Sequence, residues 1–507
     1  MLSRRRLIQT AAGAAGAAAV SASLAPAVAT AGGGKPAWER LRRHLRGELI
    51  RPGDPRYDRV RQAATVQYDR IRPAAVVCAS TERDVATALR FAQDHGVHLV
   101  PRSGGHSQGG YSSTTGIVLD LRGLNGLRVT GRRTVVAGAG VQQVDALEAL
   151  SPQGLSLVGG RCPNVALGGF LQGGGIGWQS RRHGLGSDQL ERVRVVLADG
   201  RTVTASEHQH PDLFWALRGG GGGNFGVVTA YETRPSAQSR LVNYALTWPW
   251  ESAAEVVTAW QEWIGTAPRD LGSGLALLHL DSSTGAPILL VNGAWLGREK
   301  DLGRQLSALT SMVGSPPTTS EVEERSFASA MMSWYECEDR TVDQCHQVGY
   351  SPEAELARLN WFHNRNRLHD RPQTPRQVAA MLDTFSERPR PGQFRLLDFI
   401  ALGGAVNDHA RTDTAYVHRT ASFMAGVSGG LNDAGYTSED EHACQAWMAR
   451  GFSTIDTNSL RESYQNFIDP ALSDWRPAYY GENYRRLVRA KKAYDPHRFF
   501  RFAQAIG

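Results

Sequence analysis

The sequence predicts an α+β protein whose chain divides into lobes of different texture, and three observations carry that expectation. At 507 residues the chain is long enough for two or three domains with ample core, taking about 150 residues per domain. Between about residues 73 and 234, short β-type runs, amphipathic helices and glycine-rich turns alternate. From about residue 241 to residue 424, glycine is dispersed and longer helices and strands appear. No repeat of 20–50 residues is visible, which argues against a solenoid or a propeller.

The elements follow in order. Residues 74–77 form a short β-type run. Thr81 and Glu82 start a helix through Phe91 and Ala92 with apolar residues at helical spacing, and Gly96 ends it. Residues 97–100 and 116–120 read as two further strands. Residues 193–196, then Asp199-Gly200, then Val203 read as a hairpin. Residues 212–217 form a short amphipathic helix before a glycine run. In the second lobe, residues 387–392 carry two prolines and a glycine and read as a loop. Residues 483–500 are helix-like and stop at Tyr494-Asp495-Pro496.

Composition is ordinary except for glycine, 55 of 507 residues, or about 11% against a usual ~7%. The formal charge of +7 suggests nucleic acid at first sight, but all but four of the 56 basic residues are Arg and they alternate with acids. No run of five like charges occurs, so a solvated mixed surface is expected and no nucleic-acid partner. The chain opens with Ser3-Arg4-Arg5-Arg6-Leu7-Ile8, a weakly apolar Ala/Gly stretch to about Leu24, and small residues at 27–31. This resembles a twin-arginine export signal spanning residues 1–31, which implies use of the export machinery and a secreted or periplasmic location. Its removal takes away three arginines and no acids, lowering +7 to about +4. No stretch reaches ~18 apolar residues, so no membrane span is expected. Five cysteines (78, 162, 337, 345, 444) leave one over in any full pairing, and Cys337 and Cys345 could pair in an oxidising compartment.

Glycine concentrates in three clusters: PRSGGHS at 101–107, GGRCPNV at 159–165 running on to GGGIG at 173–177, and RGGGGGNFG at 218–226. They are interleaved with large apolar residues and Cys, unlike a Ser/Thr-rich linker. Glycine here permits close backbone approach to a ligand, and the first cluster follows a strand, as an anion nest does. Gly138 and Gly140 lack the third glycine of a dinucleotide fingerprint, which argues against NAD(P).

The strings RSGGHS, CPNV, GGGIG and RGGGGGNFGVVT in this order resemble the berberine bridge enzyme-like flavoproteins, of the vanillyl-alcohol oxidase or PCMH-type FAD-binding superfamily. The end of the chain agrees, with YYGEN at 479–483 and YDP at 494–496. The resemblance runs from about residue 68 to 507 and is weaker across 240–400. It implies a two-lobed α+β fold: an FAD-binding domain at 65–238, a substrate domain of antiparallel sheet and helices at 239–461, and a segment at 462–507 that returns to the FAD domain. It implies FAD bonded through its 8α-methyl group to His106 and through C6 to Cys162. A neutral imidazole and a thiolate are both nucleophiles, so the residue types suit those bonds. By the same resemblance, Arg102, Ser103, Gly104 and Gly105 wrap the pyrophosphate with Ser107 beside them, unless Arg102 is an ion-pair partner on the surface. Gly160, Gly168, Gly169, Gly173, Gly174, Gly226 and Val228 line FAD, and Tyr480 and Asn483 close over it. No metal is implied.

The implied reaction passes a hydride from an alcohol to flavin N5, with reoxidation by O2 to hydrogen peroxide. Val165, small and just after Cys-Pro-Asn, matches members that admit O2. The usual base is the second Tyr of a Y-x-N-Y string, but this chain reads Tyr464-Gln465-Asn466-Phe467, and Phe467 cannot take a proton. Tyr464, Tyr416, Asp398, His418 and Tyr111 remain as candidate bases. The expected substrate is a small-molecule alcohol: a sugar, a glycoside or a secondary metabolite. Two rivals stay open: a dehydrogenase with another electron acceptor, and a catalytically quiet flavin- or glycan-binding protein.

Overall fold

The computed structural model describes residues 34–131 and 133–507. The export signal expected at residues 1–31 lies outside them. A four-stranded sheet comes first, from β1 (Glu48–Ile50), β2 (Ala75–Cys78), β3 (Leu99–Arg102) and β4 (Ile117–Asp120), in the order β1-β2-β4-β3. Strand β4 runs parallel to both β2 and β3, while β1 pairs antiparallel with β2. This sheet therefore begins upstream of residue 65, in a three-residue strand too short to leave a periodic signal. Helix α1 (Glu82–Asp94) covers it. Thr81 caps α1 by accepting from the Asp84 backbone N–H, and the Asp84 carboxylate accepts from the Thr81 N–H, a reciprocal cap worth about 1 kcal/mol.

A five-stranded antiparallel sheet follows, built from β5 (Leu127–Thr130), β6 (Thr134–Gly138), β8 (Leu190–Val196), β9 (Thr202–Ser206) and β10 (Val227–Thr233). The β8–β9 hairpin is the one the Asp199-Gly200 turn predicts. Two short strands, β7 (Leu155–Ser156) and β11 (Ser236–Ala237), pair beside it. Helices α2 (Leu167–Gln172) and α3 (Pro211–Leu217) lead into and out of the glycine-rich turns.

The second half is one antiparallel seven-stranded sheet. Its strands are β12 (Arg240–Trp248), β13 (Leu271–His279), β14 (Ile288–Trp295), β15 (Thr319–Ser326), β16 (Trp361–His369), β17 (Gln393–Ala401) and β18 (Phe423–Leu431). They run in the order β15-β12-β14-β13-β17-β18-β16. Helices α4 (Ala253–Thr266), α5 (Glu299–Val313), α6 (Pro375–Ser386) and α7 (Ser438–Asp456) cover one face, where Leu397, Phe399, Ala425 and Val427 join their apolar sides. Helix α7 crosses β18 at Gly429, where a Cβ would press on Cys444 Sγ at 2.6 Å, so Cys444 is a core residue. Side chains alternate along strands, and Ile400 and Met424 therefore point to the other face, where Leu185, Tyr416 and Tyr464 meet them.

The chain then returns. Trp475, Tyr479, Tyr480, Leu487 and Phe500 are buried in the same core as α1 and the first two sheets. The last helix, α8 (Tyr484–Tyr494), stops where Pro496 predicts. Lys491 Nζ donates to the carbonyls of Asn224 (2.5 Å) and Phe500 (2.6 Å), fastening the third glycine cluster to the tail. Arg419 and Asp188, both 1% exposed, join the second-half sheet to the glycine-rich region through two contacts at 2.7 and 2.9 Å. Cys337 and Cys345 form a disulfide, while Cys78, Cys162 and Cys444 are free thiols. Among the described residues no helix is long and apolar enough to cross a membrane, and no cluster of His, Cys, Asp and Glu could hold a metal ion.

Candidate active site

A cavity of about 350 Å³ lies between the three glycine clusters and the side of the seven-stranded sheet that carries Ile400 and Met424. Cofactor and ligand sites run from roughly 300 to 1,000 Å³. Its first wall is the end of β3 and the turn after it: Arg102, Ser103, Gly104, Gly105, His106 and Ser107. Glycine is required at 104, where a Cβ would fall 2.8 Å from the Ala166 backbone nitrogen. Only the backbone of Arg102 is free to serve the cavity. Its guanidinium is 2% exposed and donates to the carbonyls of Arg61 (2.7 Å) and Val60 (2.6 Å) and to Asp120 (3.4 Å), so it is a buried tie and no surface ion pair.

The second wall holds Gly160, Cys162, Val165, Gly168 and Gly169, and the third holds Gly221 to Gly223, Gly226 and Val228. Tyr480 closes the third wall, its hydroxyl donating to the Gly220 carbonyl at 3.0 Å. The glycines of these walls present bare main chain, with N–H groups able to meet an anion.

Two nucleophiles open onto the cavity. Burial holds His106 neutral by lowering its pKa to about 4, against the pull of Asn164, which hydrogen bonds the ring. Its Nε2 is buried and has no partner. Cys162 is an exposed free thiol on the second wall. Its protein surroundings raise its pKa, while the neighbouring Arg161 guanidinium lowers it. A backbone cradle, an unsatisfied imidazole nitrogen and an accessible thiol on one cavity suit a flavin dinucleotide.

Several expected residues fall elsewhere. Gly173 does not reach the cavity, because the Asn466 side chain occupies the space beside it. Gly174, at φ +117°, lies under the Tyr416 ring. Asn483 donates to the carbonyls of Arg411 (2.7 Å) and Thr414 (3.2 Å), tying a loop instead of touching the cavity. Tyr416 is fully buried behind Gly174, and burial pushes its phenol well above the usual range. His418 is also fully buried, between Glu462 (2.7 Å) and Gln465 (3.1 Å).

Of the remaining candidate bases, Tyr464 and Tyr111 line the cavity. The Tyr464 oxygen accepts from Gly175 N (3.0 Å), Ile176 N (3.3 Å) and Asn466 Nδ2 (2.9 Å). Burial still pushes its pKa up to about 12. Tyr111 is raised by burial as well, and its ring lies tilted at 32° to Phe502 with centroids 5.0 Å apart. Asp398, on β17 two residues before Ile400, does not line the cavity itself but accepts from Arg161, which does, at 2.6 Å (Nη2) and 3.4 Å (Nη1). Burial works against the Arg161 charge, but the Asp398 carboxylate more than offsets it and holds the guanidinium above its usual range. Phe467 lines the cavity with its ring edge-on to Tyr464 at 5.3 Å.

Sequence reasoning missed Arg161, Gln172, Trp178, Ile400, Met424, Gln465 and Asn466, all of which line the cavity. Arg161 and Asn466 stand beside residues singled out by motif and could have been found. Ile400 and Met424 look like any core strand residue and could not.

The comparisons agree with this geometry. Residues 73–206 match a family model described as FAD binding domain, and residues 463–507 match one described as berberine and berberine like. An uncharacterised FAD-linked oxidoreductase of Bacillus subtilis (strain 168) is 28% identical over 468 residues, 91% of this chain and 97% of that protein. The glucooligosaccharide oxidase of Sarocladium strictum is 28% identical over 447 residues, 83% of this chain and 84% of that protein. Among solved structures, a glucooligosaccharide oxidase from Acremonium strictum, described by its 6-S-cysteinyl, 8α-N1-histidyl FAD, superposes with TM-score 0.81 at 25% identity. That match covers 91% of this chain and 97% of the other. Physcomitrella patens BBE-like 1 gives TM-score 0.82 at 23% identity over 92% and 98% of the two chains, a likeness of fold. With both family models matched in order at the two ends of one cavity-forming fold, the chain is an FAD-linked oxidoreductase of the berberine bridge enzyme-like family.

Proposed function

We propose that the protein is an exported oxidase of alcohols whose FAD is bonded to both His106 and Cys162. The observation that carries this reading is the convergence of a partnerless buried imidazole nitrogen and an accessible thiol on one glycine-edged cavity. Residues 65–238 and 462–507 are assigned to FAD binding, and 239–461 to the substrate. FAD supplies hydride acceptance at N5 and, once reduced, electron transfer to O2 that yields hydrogen peroxide.

The chain's own groups bind, orient and move the proton. The backbone of 102–105 and 221–223 meets the pyrophosphate. Asp398 takes the proton of the substrate hydroxyl, because it is the candidate carboxylate held against a cavity-lining side chain, Arg161. Arg161 holds that carboxylate in a fixed orientation through two N–H donors. Tyr464 is unsuited to the task, since three N–H groups already occupy its oxygen and its pKa is about 12. Its oxygen instead pins the turn at 175–176. Val165 borders the cavity as a small side chain and supports the oxidase reading over the dehydrogenase. The twin-arginine leader and the Cys337–Cys345 disulfide support export to an oxidising compartment.

Anaerobic mixing of the holoenzyme with an alcohol panel tests the reading. Bleaching of the flavin, followed by rapid recovery in air with one peroxide per flavin, is expected. Slow recovery in air would make the protein a dehydrogenase, and no bleaching by any alcohol would refute the enzymatic reading. Flavin that separates from the chain on denaturation would refute the two bonds.

A further inference from the structure

A line of side chains runs from the surface to the cavity through the returning tail. At its outer end Arg411 donates to the exposed Glu482 at 2.8 Å, and further in it meets Glu462 Oε1 at 2.7 Å. Glu462 Oε2 lies 2.7 Å from His418 Nδ1, and His418 Nε2 lies 3.1 Å from Gln465 Oε1. Gln465 Nε2 donates to the Gly219 carbonyl at 2.5 Å. Of these five side chains Gln465 alone lines the cavity.

The hydrogen bonds fix the protons. Turning the Gln465 amide over would set its oxygen against the Gly219 oxygen, so its nitrogen faces Gly219 and its oxygen faces His418. His418 Nε2 must then donate. Burial works against the Glu462 charge, but His418 and Arg411 hold that carboxyl below its usual range, so Glu462 accepts and Nδ1 donates as well. With a hydrogen on each nitrogen, the fully buried ring is an imidazolium. Its counter-ion Glu462 stands on the side away from the cavity and Gln465 on the side toward it. The positive end of the pair points inward, and the intervening amide is polarised by it. Among the described residues, the second hydrogen of Gln465 Nε2 has no acceptor.

Tyr464, one residue earlier, packs with Ile400 and Met424, and Asp398 on the Ile400 strand holds Arg161, the neighbour of Cys162. The Gln465 amide thus fronts the end of the cavity where a ring bonded to Cys162 would lie. We propose that Gln465 is a positioning residue that turns the His418 charge onto the flavin ring, stabilising its reduced, anionic form and so easing hydride acceptance. Glu462 and Arg411 act through His418 by keeping it charged. The proposal rests on the bonded FAD of the reading above.

Anaerobic reduction against a reference dye gives the midpoint potential of the bound flavin without any alcohol or O2. His418→Gln keeps donors for both neighbours but removes the charge, and Gln465→Leu removes the amide. Each should lower the ratio of reduced to oxidised flavin at a fixed ambient potential about ten-fold, ~30 mV for a two-electron couple. The double variant should fall no further than either single one, because both act along one line. A role confined to packing would leave the potential of folded, flavin-loaded variants unchanged. That result overturns the proposal, and so do single effects that add in full. If His418→Gln does not fold, Gln465→Leu alone decides. Nitrogen-15 spectra of the holoenzyme with labelled histidine, in which His418 is identified by its loss in His418→Gln, should show both ring nitrogens protonated at pH 7. A neutral ring overturns the proposal. Flavin released from the parent on denaturation refutes the bonded-FAD reading, while the potentials of the variants still decide this one.

Discussion

Bond formation to the two nucleophiles should respond to pH in opposite ways. Burial lowers the His106 pKa to about 4, so at pH 7 about one imidazole in a thousand is protonated. Its nucleophilic form is therefore saturated from about pH 5 upward. Burial holds the Cys162 thiol above its ordinary range, so the thiolate is its minor form at neutral pH. Its nucleophilic form grows about ten-fold for each pH unit until the thiol titrates. The rate of the His106 bond should be flat between pH 6 and 9, and the rate of the Cys162 bond should rise by two orders of magnitude or more. Apoprotein from a riboflavin-deprived host, mixed with FAD and quenched at intervals, gives both rates by mass spectrometry of the two peptides. To isolate each rate, Cys162→Ser and His106→Ala proteins are run beside the parent. A Cys162 rate independent of pH, or a His106 rate that climbs with pH through 6 to 8, would refute this account of how the walls tune the two side chains.

Other outcomes follow from single contacts. Asp398→Asn should slow anaerobic flavin reduction by about 10²–10⁴-fold at unchanged flavin content, as read by stopped flow, because it removes the proton acceptor but keeps the Arg161 contact. Asp188→Asn should destabilise by about 3–5 kcal/mol in urea unfolding, since it strands the Arg419 charge at 1% exposure. The Asp188→Leu and Arg419→Met double variant should recover most of that loss, a sign opposite to simple additivity. Arg4→Lys with Arg5→Lys should leave the protein inside the cell in fractionation, with its flavin content unchanged.

Local chemistry made part of this structure readable in advance. The cap at Thr81, the turn at Asp199-Gly200 and the stop at Pro496 act within a few residues, so the helix α1, the β8–β9 hairpin and the end of α8 were visible in sequence. His106, Cys162 and the glycines around them were visible because unusual backbone demands unusual residues. The expected site residues that lie off the cavity share another cause. Gly173, Gly174 and Asn483 sit in motif strings, yet each packs on a neighbour: Asn466, Tyr416 and the 411–414 loop. A glycine needed for a cofactor and a glycine needed for a tyrosine ring look alike in a string of letters. The Ile400–Met424 wall was invisible for the complementary reason. Its residues follow ordinary strand alternation, and only the assembled fold shows that this part of the face meets the glycine-rich region.

The return of the chain after residue 462 has a consequence in time. Trp475, Tyr480, Leu487 and Phe500 complete a core whose other members were synthesised hundreds of residues earlier, and Tyr480 is part of the cavity wall. A nascent chain emerging in order holds the three glycine clusters long before it holds their closing side. The first half must wait, with apolar surface uncovered, until the second half has been made and the tail can fold back. Acquisition of the cofactor is thereby coupled to completion of the polypeptide, and a chain that stops early has no finished place to keep it.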